Sequence, residues 1–486
     1  MLENAGKSTS RGAFSLGLAS LTNLLLQFIL LALLARLLNP DEFGLVGALS
    51  LLFVLSDILS DFGVSNSIVR ADQLSRAMLK SAYFTGIVIA SFFSLLVLIL
   101  ADPISTFIGH PEAKLSIILT AVAFLISPQG QTSKGLLERQ KEFKEISIAE
   151  VTANLIAAFV AITFALLGAG IISFVIGRLT SSTIKVISYR LLAKKISVAR
   201  EDNKAKVKYS FQVMSFGGVQ TLDSLISYVF NSFGSFVLGA FGKLGALGGF
   251  TISFNLGVNI PGNVGSVISR STLPALASQN SEFTRQSRSF SKILQISGLL
   301  NISMMLGLVA IAPSFIPLVY GERWSWVVPT LQILAISGCF RAFTFPLGVL
   351  FTAKNKPSIP LFLNILRTVV LIGAILLQLN DISPQSIAWS YVLSSVIAFG
   401  GNLFILHYFK IIKFTEYARM VLKVVLITSP GLICSILLQG EIGLSTASEL
   451  LLTSTCYILI TAVLLILSKD SSLKEIIDHL GIKFKK

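Results

Sequence analysis

Residues 13–66 read AFSLGLASLTNLLLQFILLALLARLLNPDEFGLVGALSLLFVLSDILSDFGVSN. Two apolar runs, 13–35 and 43–66, flank a short polar island that holds Arg36, Asp41 and Glu42. Each run is long enough, as a helix, to cross a hydrocarbon core about 30 Å thick. Lipid offers no hydrogen-bond partners, so the backbone of such runs must satisfy itself, and a helix does so.

Outward from this stretch the pattern repeats. Further apolar runs fall at 81–101, 115–133, 148–167, 170–190, 212–238, 246–269, 293–319, 325–351, 358–379, 385–408, 420–438 and 448–468. The expected fold is an all-α membrane protein of about fourteen transmembrane helices. Composition agrees: of 486 residues 53% are hydrophobic and only 13% charged, and mean hydropathy is +0.80. Soluble domains carry about 25% charged residues. The first run is too long for the apolar core of a cleavable signal, and no small-residue cleavage site follows it.

The net charge of +15 would suggest nucleic acid on a soluble protein, but sidedness explains it better. With the N-terminus inside, most Lys and Arg fall in segments on the cytoplasmic side, among them Lys134, Arg139, Lys141 and Lys144, and Arg190 to Lys208. The outer segments hold only Arg36, Lys114, Lys243 and Arg323. That asymmetry predicts a multi-pass inner-membrane protein with both termini cytoplasmic. Trp324, Trp326 and Trp389 fall at outer span ends, where indole rings favour the interface. Cys339, Cys434 and Cys456 lie in apolar runs without metal-like spacing, and His110, His407 and His479 do not cluster. No cofactor or metal is expected.

The most basic inner loop divides the chain. It predicts a first lobe over 1–195, a basic linker over 196–211, a second six-helix lobe over 212–410, two further helices over 411–469 and a basic tail over 470–486. Leu38 to Gly44 (LNPDEFG) is echoed by Phe241 to Gly248 (FGKLGALG), each linking the first two spans of its lobe. Six spans per lobe make the repeat parallel and the lobes pseudo-symmetric. The tail has Leu473, Ile476, Ile477 and Leu480 on one face and reads either as a helix lying on anionic lipid or as a solvated segment.

Polar residues within the spans are spaced helically. Span one carries Ser20, Asn23 and Gln27; span two Ser50, Asp57 and Asp61; span seven Gln220, Ser224, Ser227, Asn231 and Ser235; span eight Asn255, Asn259, Asn263 and Ser266. Each set shares a helix face. Such a face points at a neighbouring helix or at a wet cavity. The four stripes lie on equivalent helices of the two lobes, which favours one central hydrophilic chamber. Amides and hydroxyls both donate and accept, as sugar hydroxyls require. Pro261 with Gly257, Gly262 and Gly265 reads as a bendable segment or as close packing.

Charges within spans cost at least about 2.5–3.5 kcal/mol on insertion scales and so face the interior. Arg341 is placed to meet a pyrophosphate or acidic sugar, or to pair with Asp223. Arg178 and Arg367 read more as structural pairs, Lys185 as a side chain that snorkels inward. Asp57 and Asp61 are candidates for proton or cation coupling, or for capping and packing near the inner end of span two.

Leu37-Leu38-Asn39-Pro40-Asp41-Glu42-Phe43-Gly44-Leu45, then Asp57, Asp61-Phe62-Gly63-Val64 and Ile68-Val69-Arg70, resemble the start of the Wzx-type polysaccharide and O-antigen flippases. These belong to the multidrug/oligosaccharidyl-lipid/polysaccharide exporter superfamily. Leu136-Leu137-Glu138-Arg139, Gly321-Glu322-Arg323-Trp324 and Ala353-Lys354-Asn355-Lys356-Pro357 are similar in the same order. The resemblance spans roughly 13–410. It implies alternating access for undecaprenyl-pyrophosphate-linked oligosaccharide, with membrane lipids, a polysaccharide polymerase and a chain-length regulator as partners. The related lipid II flippases place arginines in spans one and two. Here those positions are neutral or acidic, so the resemblance carries no cationic site into the first lobe. The alternative within the superfamily is a cation-coupled drug antiporter, which Asp57 and Asp223 would serve. A membrane-bound glycan polymerase or ligase is disfavoured, because the outer segments are short and hold no acid/base constellation.

Overall fold

The computed structural model describes residues 20, 22–61, 64–70, 74, 76–196, 206–262, 283–353, 358–409, 411, 414–439 and 445–467. Every regular element among these residues is helical. The chain forms two compact units, Met1–Gly248 and Gly249–Lys486.

The first unit contains α1 (Thr22–Leu37), α2 (Pro40–Asp61), α3 (Val64–Arg70), α4 (Arg76–Ile99), α5 (Ala101–Phe107), α6 (Lys114–Ile126), α7 (Pro128–Arg139), α8 (Phe143–Leu166), α9 (Ile172–Ala193) and α10 (Lys206–Ala240). α11 (Leu244–Phe254) crosses the boundary between units and continues as a π-helical turn, Asn255–Asn259. The second unit holds α12 (Phe283–Tyr320), α13 (Val328–Arg341), α14 (Phe345–Ala353), α15 (Ser358–Leu376), α16 (Pro384–Tyr408), α17 (Phe414–Leu437) and α18 (Thr446–Leu467).

Ten helices among the described residues are long and apolar enough to cross a membrane. The expected count of fourteen depends on four more. Thr22–Leu37 is apolar but shorter. α9 is interrupted by Arg178, Lys185 and Arg190, and α10 and Leu244–Asn259 carry polar stripes. Large apolar side chains stand exposed on many helices, including Phe92, Phe159, Phe362 and Phe404. In water such a surface would be costly; against acyl chains it is the expected outer face.

Local chemistry sets the helix starts. Asn39 Oδ1 accepts from the Glu42 backbone N–H at 2.8 Å, and Glu42 Oε2 accepts from the Asn39 N–H at 3.0 Å. This reciprocal capping box opens α2 at Pro40. Ser383 and Ser386 make the same box at α16, with Pro384 in the first turn. The two echoed turns meet: a Cβ on Gly44 would lie 2.1 Å from the Leu244 carbonyl oxygen. Only glycine lets the start of α2 approach the start of α11 so closely.

Small residues bring α8 and α9 together. Ala149, Ala153, Ala157 and Ala161 recur every fourth position of α8 and are buried, the spacing that lets backbones approach in membranes. α12 runs through the second unit, packing against α13, α17 and α18. Its neighbourhood is an apolar and aromatic cluster with Phe290, Phe343, Phe351 and Tyr417.

Several expectations are corrected here. Trp324 is fully buried, packed beside Trp326, and belongs to the core; Trp326 and Trp389 are the exposed pair. α7 runs from Pro128 to Arg139, so Lys134 lies within a helix. Around Gly257 the packing reading applies: a Cβ there would sit 3.0 Å from the Ala335 backbone, and one on Gly338 would sit 2.4 Å from the Gly257 carbonyl. The π turn, Asn255–Asn259, ends two residues before Pro261, which has no N–H to continue the α-helical ladder. Asn263, Gly265, Ser266 and the tail 470–486 lie outside the described residues.

Gly44→Ala is expected to cost about 1–3 kcal/mol through overpacking. It should lower the midpoint of thermal unfolding followed by circular dichroism in detergent. Gly373→Ala, which meets nothing within 4 Å, should leave the midpoint unchanged or raise it.

Candidate functional site

The first unit holds a partly open cavity of about 360 Å³ lined mainly by polar side chains. Asp57 and Asp61 enter from the last turns of α2, Ser65 from α3, Gln131, Lys134 and Glu138 from α7, and Glu150 from α8. α9 supplies Arg178, Ser181, Ser182, Lys185 and Tyr189.

The spacing explains why these side chains converge. On α9 they fall at i, i+3, i+4, i+7 and i+11. Ser127, at the entry to α7, begins a second set with Gln131, Lys134 and Glu138 at i, i+4, i+7 and i+11. Each set forms one helical stripe. Buried small residues fix α9 against α8, and α7 packs on α9, so the two stripes face the same space.

The charges are arranged in partly shielded pairs. Lys134 Nζ lies 3.3 Å from Glu150 Oε1, with both side chains about 30% exposed. Tyr189 donates its hydroxyl to the same Glu150 oxygen at 2.9 Å. Arg178 Nη2 lies 3.4 Å from Asp57 Oδ2, a looser pair in which Asp57 is 57% exposed. The Arg178 guanidinium also sits 5.3 Å over the Phe53 ring, a favourable cation–π placement. Asp61 Oδ1 accepts from the Ser65 N–H at 3.2 Å and so caps α3. Asp61 thus caps a helix and lines the cavity.

Around the cavity the scaffold is tied by polar bonds. Arg139 Nη1 donates to the Ile68 carbonyl at 2.8 Å, closing the last turn of α3. Arg190 donates to the Gln129 carbonyl and to the Tyr83 hydroxyl, each at 3.1 Å. Asn154 of α8 donates to Asn23 Oδ1 at 2.9 Å and accepts from Ser181 at 2.8 Å. Asn23 is thus an interhelical tie at the edge of the charged wall, while Gln27, one turn on, is exposed.

The other predicted residues lie elsewhere. Asp223, Ser224, Ser227 and Asn231 are half-buried along α10, where Asn231 Oδ1 is buried without a hydrogen bond. The Gln220 side chain lies outside those described. In the second unit, Asn259 donates to Asn255 Oδ1 at 2.9 Å, and Asn255 donates to the Thr251 carbonyl at 2.9 Å, a ladder along one face. Arg341 is buried, 7% exposed, at the end of α13. Arg367 is half-buried on α15.

Lys134, Glu138, Glu150, Lys185 and Tyr189 were not among the sequence-predicted site residues. The stripes on α7 and α9 were readable, but the lysines were assigned to a cytoplasmic segment and to snorkelling. Spans one and two bring no cation to this cavity; Lys134 of α7 and Arg178 and Lys185 of α9 do.

A family model described as "Polysaccharide biosynthesis protein" matches residues 33–329. The chain belongs to this family. An uncharacterized membrane protein in the cps region of Klebsiella pneumoniae is 30% identical over 368 residues, covering 75% of this chain and 74% of that protein. The lipopolysaccharide biosynthesis protein WzxC of Escherichia coli is 27% identical over 447 residues, 90% of this chain and 89% of WzxC. Among solved structures, the lipid II flippase MurJ in an inward closed conformation matches with a TM-score of 0.75 at 14% identity, over 92% of this chain and 97% of MurJ. An inward-facing multidrug resistance MATE family transporter matches with a TM-score of 0.62 at 15% identity, over 81% of this chain and 99% of that one. The fold is therefore MurJ- and MATE-like, and the cavity lies within the residues matched to the polysaccharide biosynthesis family.

A double-mutant cycle of Lys134→Met and Glu150→Gln should give a coupling of about 1–3 kcal/mol, as for a charge-assisted hydrogen bond. The exposed Asp57–Arg178 pair should couple by less than about 1 kcal/mol. Urea or thermal unfolding of the purified variants measures both.

Proposed function

We propose that this protein translocates undecaprenyl-pyrophosphate-linked oligosaccharide from the cytoplasmic to the outer leaflet of the inner membrane, for assembly of surface polysaccharide. The observation that carries the reading is a hydroxyl-, amide- and charge-lined cavity inside a helical bundle of the polysaccharide biosynthesis family. The names of the Escherichia coli lipopolysaccharide biosynthesis protein and of the Rhizobium meliloti succinoglycan biosynthesis transport protein point the same way.

In this mechanism the prenyl tail stays in lipid while the head group passes through a wet chamber that opens to one side and then the other. Two lobes, 1–195 and 212–410, joined by the basic linker 196–211, rock about the cavity. Two further helices follow over 411–469, and both termini, with the basic tail 470–486, are cytoplasmic. Asn23, Gln27, Asp57, Gln220, Ser224, Ser227, Asn231, Asn255, Asn259 and Arg341 would line the path. A polysaccharide polymerase and a chain-length regulator would act on the product side.

A second reading, a cation-coupled multidrug antiporter, draws support from the exposed Asp57 carboxylate and from the MATE-like fold. Asp61, Asp223, Arg178 and Arg367 would then belong to its coupling network.

Deletion of the gene should leave lipid-linked glycan accumulated on the cytoplasmic side and strip the surface polymer. Unchanged surface glycan with new sensitivity to cationic drugs would replace the flippase with the antiporter. Cysteines at Asn23, Asp57, Asn231 and Asn259 should react with a water-borne thiol reagent in at least one transport state. Four inert positions would count against a shared wet path.

A further inference from the structure

The two ends of α2 differ in kind. Its last turns, with Asp57 and Asp61, enter the cavity. Its first turns are dry: Phe43, Leu45 and Val46 are at most 3% exposed, as are Leu238 near the end of α10 and Leu244 and Leu247 at the start of α11. Gly44 and Asp57 stand about 20 Å apart along the helix, at about 1.5 Å per residue. All of these residues lie in the first compact unit.

The dry end is built on a backbone contact. Gly44 meets Leu244 so closely that a Cβ would lie 2.1 Å from its carbonyl oxygen, and a Cβ on Gly245 would lie 3.7 Å from Pro40 Cβ. The contact joins different halves of the expected repeat. On one side, Glu42 Oε1 lies 3.0 Å from the place a Gly170 Cβ would take. The start of α2 is thereby seated on the turn between α8 and α9, the helices that carry Glu150, Arg178 and Lys185 into the cavity. On the other side, the start of α11 follows α10, whose Tyr228 hydroxyl donates to the Leu51 carbonyl of α2 at 3.2 Å. Where main chain meets main chain through glycine, two bodies can separate and close again with little side-chain rearrangement.

We propose that the seating of Gly44 on Leu244 is a latch that shuts the outer end of the transport path, and that it parts when the chamber opens outward. The inference rests on the transport reading and adds the device that holds the outer side closed. α2 links the latch to the cavity wall, so a movement of the wall reaches the latch through one continuous helix. Parting would expose Phe43, Leu45 and Leu244 to water, which makes the latched state the resting one.

The test uses the full chain in right-side-out membrane vesicles, with Cys339, Cys434 and Cys456 replaced by alanine. A single Ser182→Cys in the cavity wall reports on access, and a membrane-impermeant maleimide is added from outside. Labelling should be slow with the latch unaltered. Gly44→Ala, whose added methyl strains only the latched state, should speed it about tenfold or more. Pro40→Cys with Gly245→Cys has the Cβ spacing of a disulfide, about 3.8 Å. Oxidation of that pair should stop labelling of Ser182→Cys, and a reductant should restore it. Should Gly44→Ala fail to fold, the disulfide arm decides alone. Labelling that persists with the disulfide closed, a pair that does not oxidise, or a folded Gly44→Ala that labels at the unaltered rate would overturn the latch. Accumulation of lipid-linked glycan in the deletion strain would then still support transport. A deletion strain with unchanged surface polymer, beside a disulfide that shuts out the reagent, would keep the latch and remove the glycan cargo.

Discussion

An ionised side chain in the interior of a membrane protein has to find an opposite charge, a polar bond or water, because lipid supplies none of them. The first unit is organised by that demand. Lys134, Arg178 and Lys185 would each be expensive on an isolated helix in lipid. They become tolerable because α2, α7, α8 and α9 bring Asp57, Asp61, Glu138 and Glu150 into the same space. Pairing is incomplete in geometry, with separations of 3.3 and 3.4 Å. The charges are held together by the wall of a cavity rather than by a closed, dry ion-pair core.

That looseness suits transport. A fully closed pair in a dry interior resists exchange, since removing one partner leaves a buried charge uncompensated. A half-exposed pair can lend a donor or acceptor to a passing group at small cost. The scaffold around the cavity is by contrast firmly tied: alanines every fourth residue of α8, the Arg139 cap on α3, and the Arg190 bonds to Gln129 and Tyr83. Rigid packing outside and adjustable polar contacts inside are compatible with a chamber that binds briefly and releases.

The sequence made some of this legible and hid other parts for identifiable reasons. The apolar runs, the polar stripes and the helix start at Asn39-Pro40 follow from local pattern. Asp57, Asp61 and Arg178 were singled out because charge inside a span is conspicuous. Lys134 and Glu138 escaped because they sit near a span end, where a charge normally meets water, and α7 runs further than its apolar stretch. Lys185 escaped because a lysine can reach an interface from within a span. Trp324 looked like an interface anchor because position along a span does not tell which way a ring turns; here the ring turns inward.

By itself, then, the chain's composition and periodicity determined a helical membrane protein and the faces on which its polar groups lie, because the bilayer penalises every other arrangement of such runs. Tertiary structure alone decided which faces meet. The pairing of Lys134 with Glu150 and of Arg178 with Asp57 depends on how closely α7, α8 and α9 approach. That approach is set by side-chain volume at Ala153, Ala157, Ala161 and Gly177, a matter of steric fit between segments distant in sequence that no local pattern encodes.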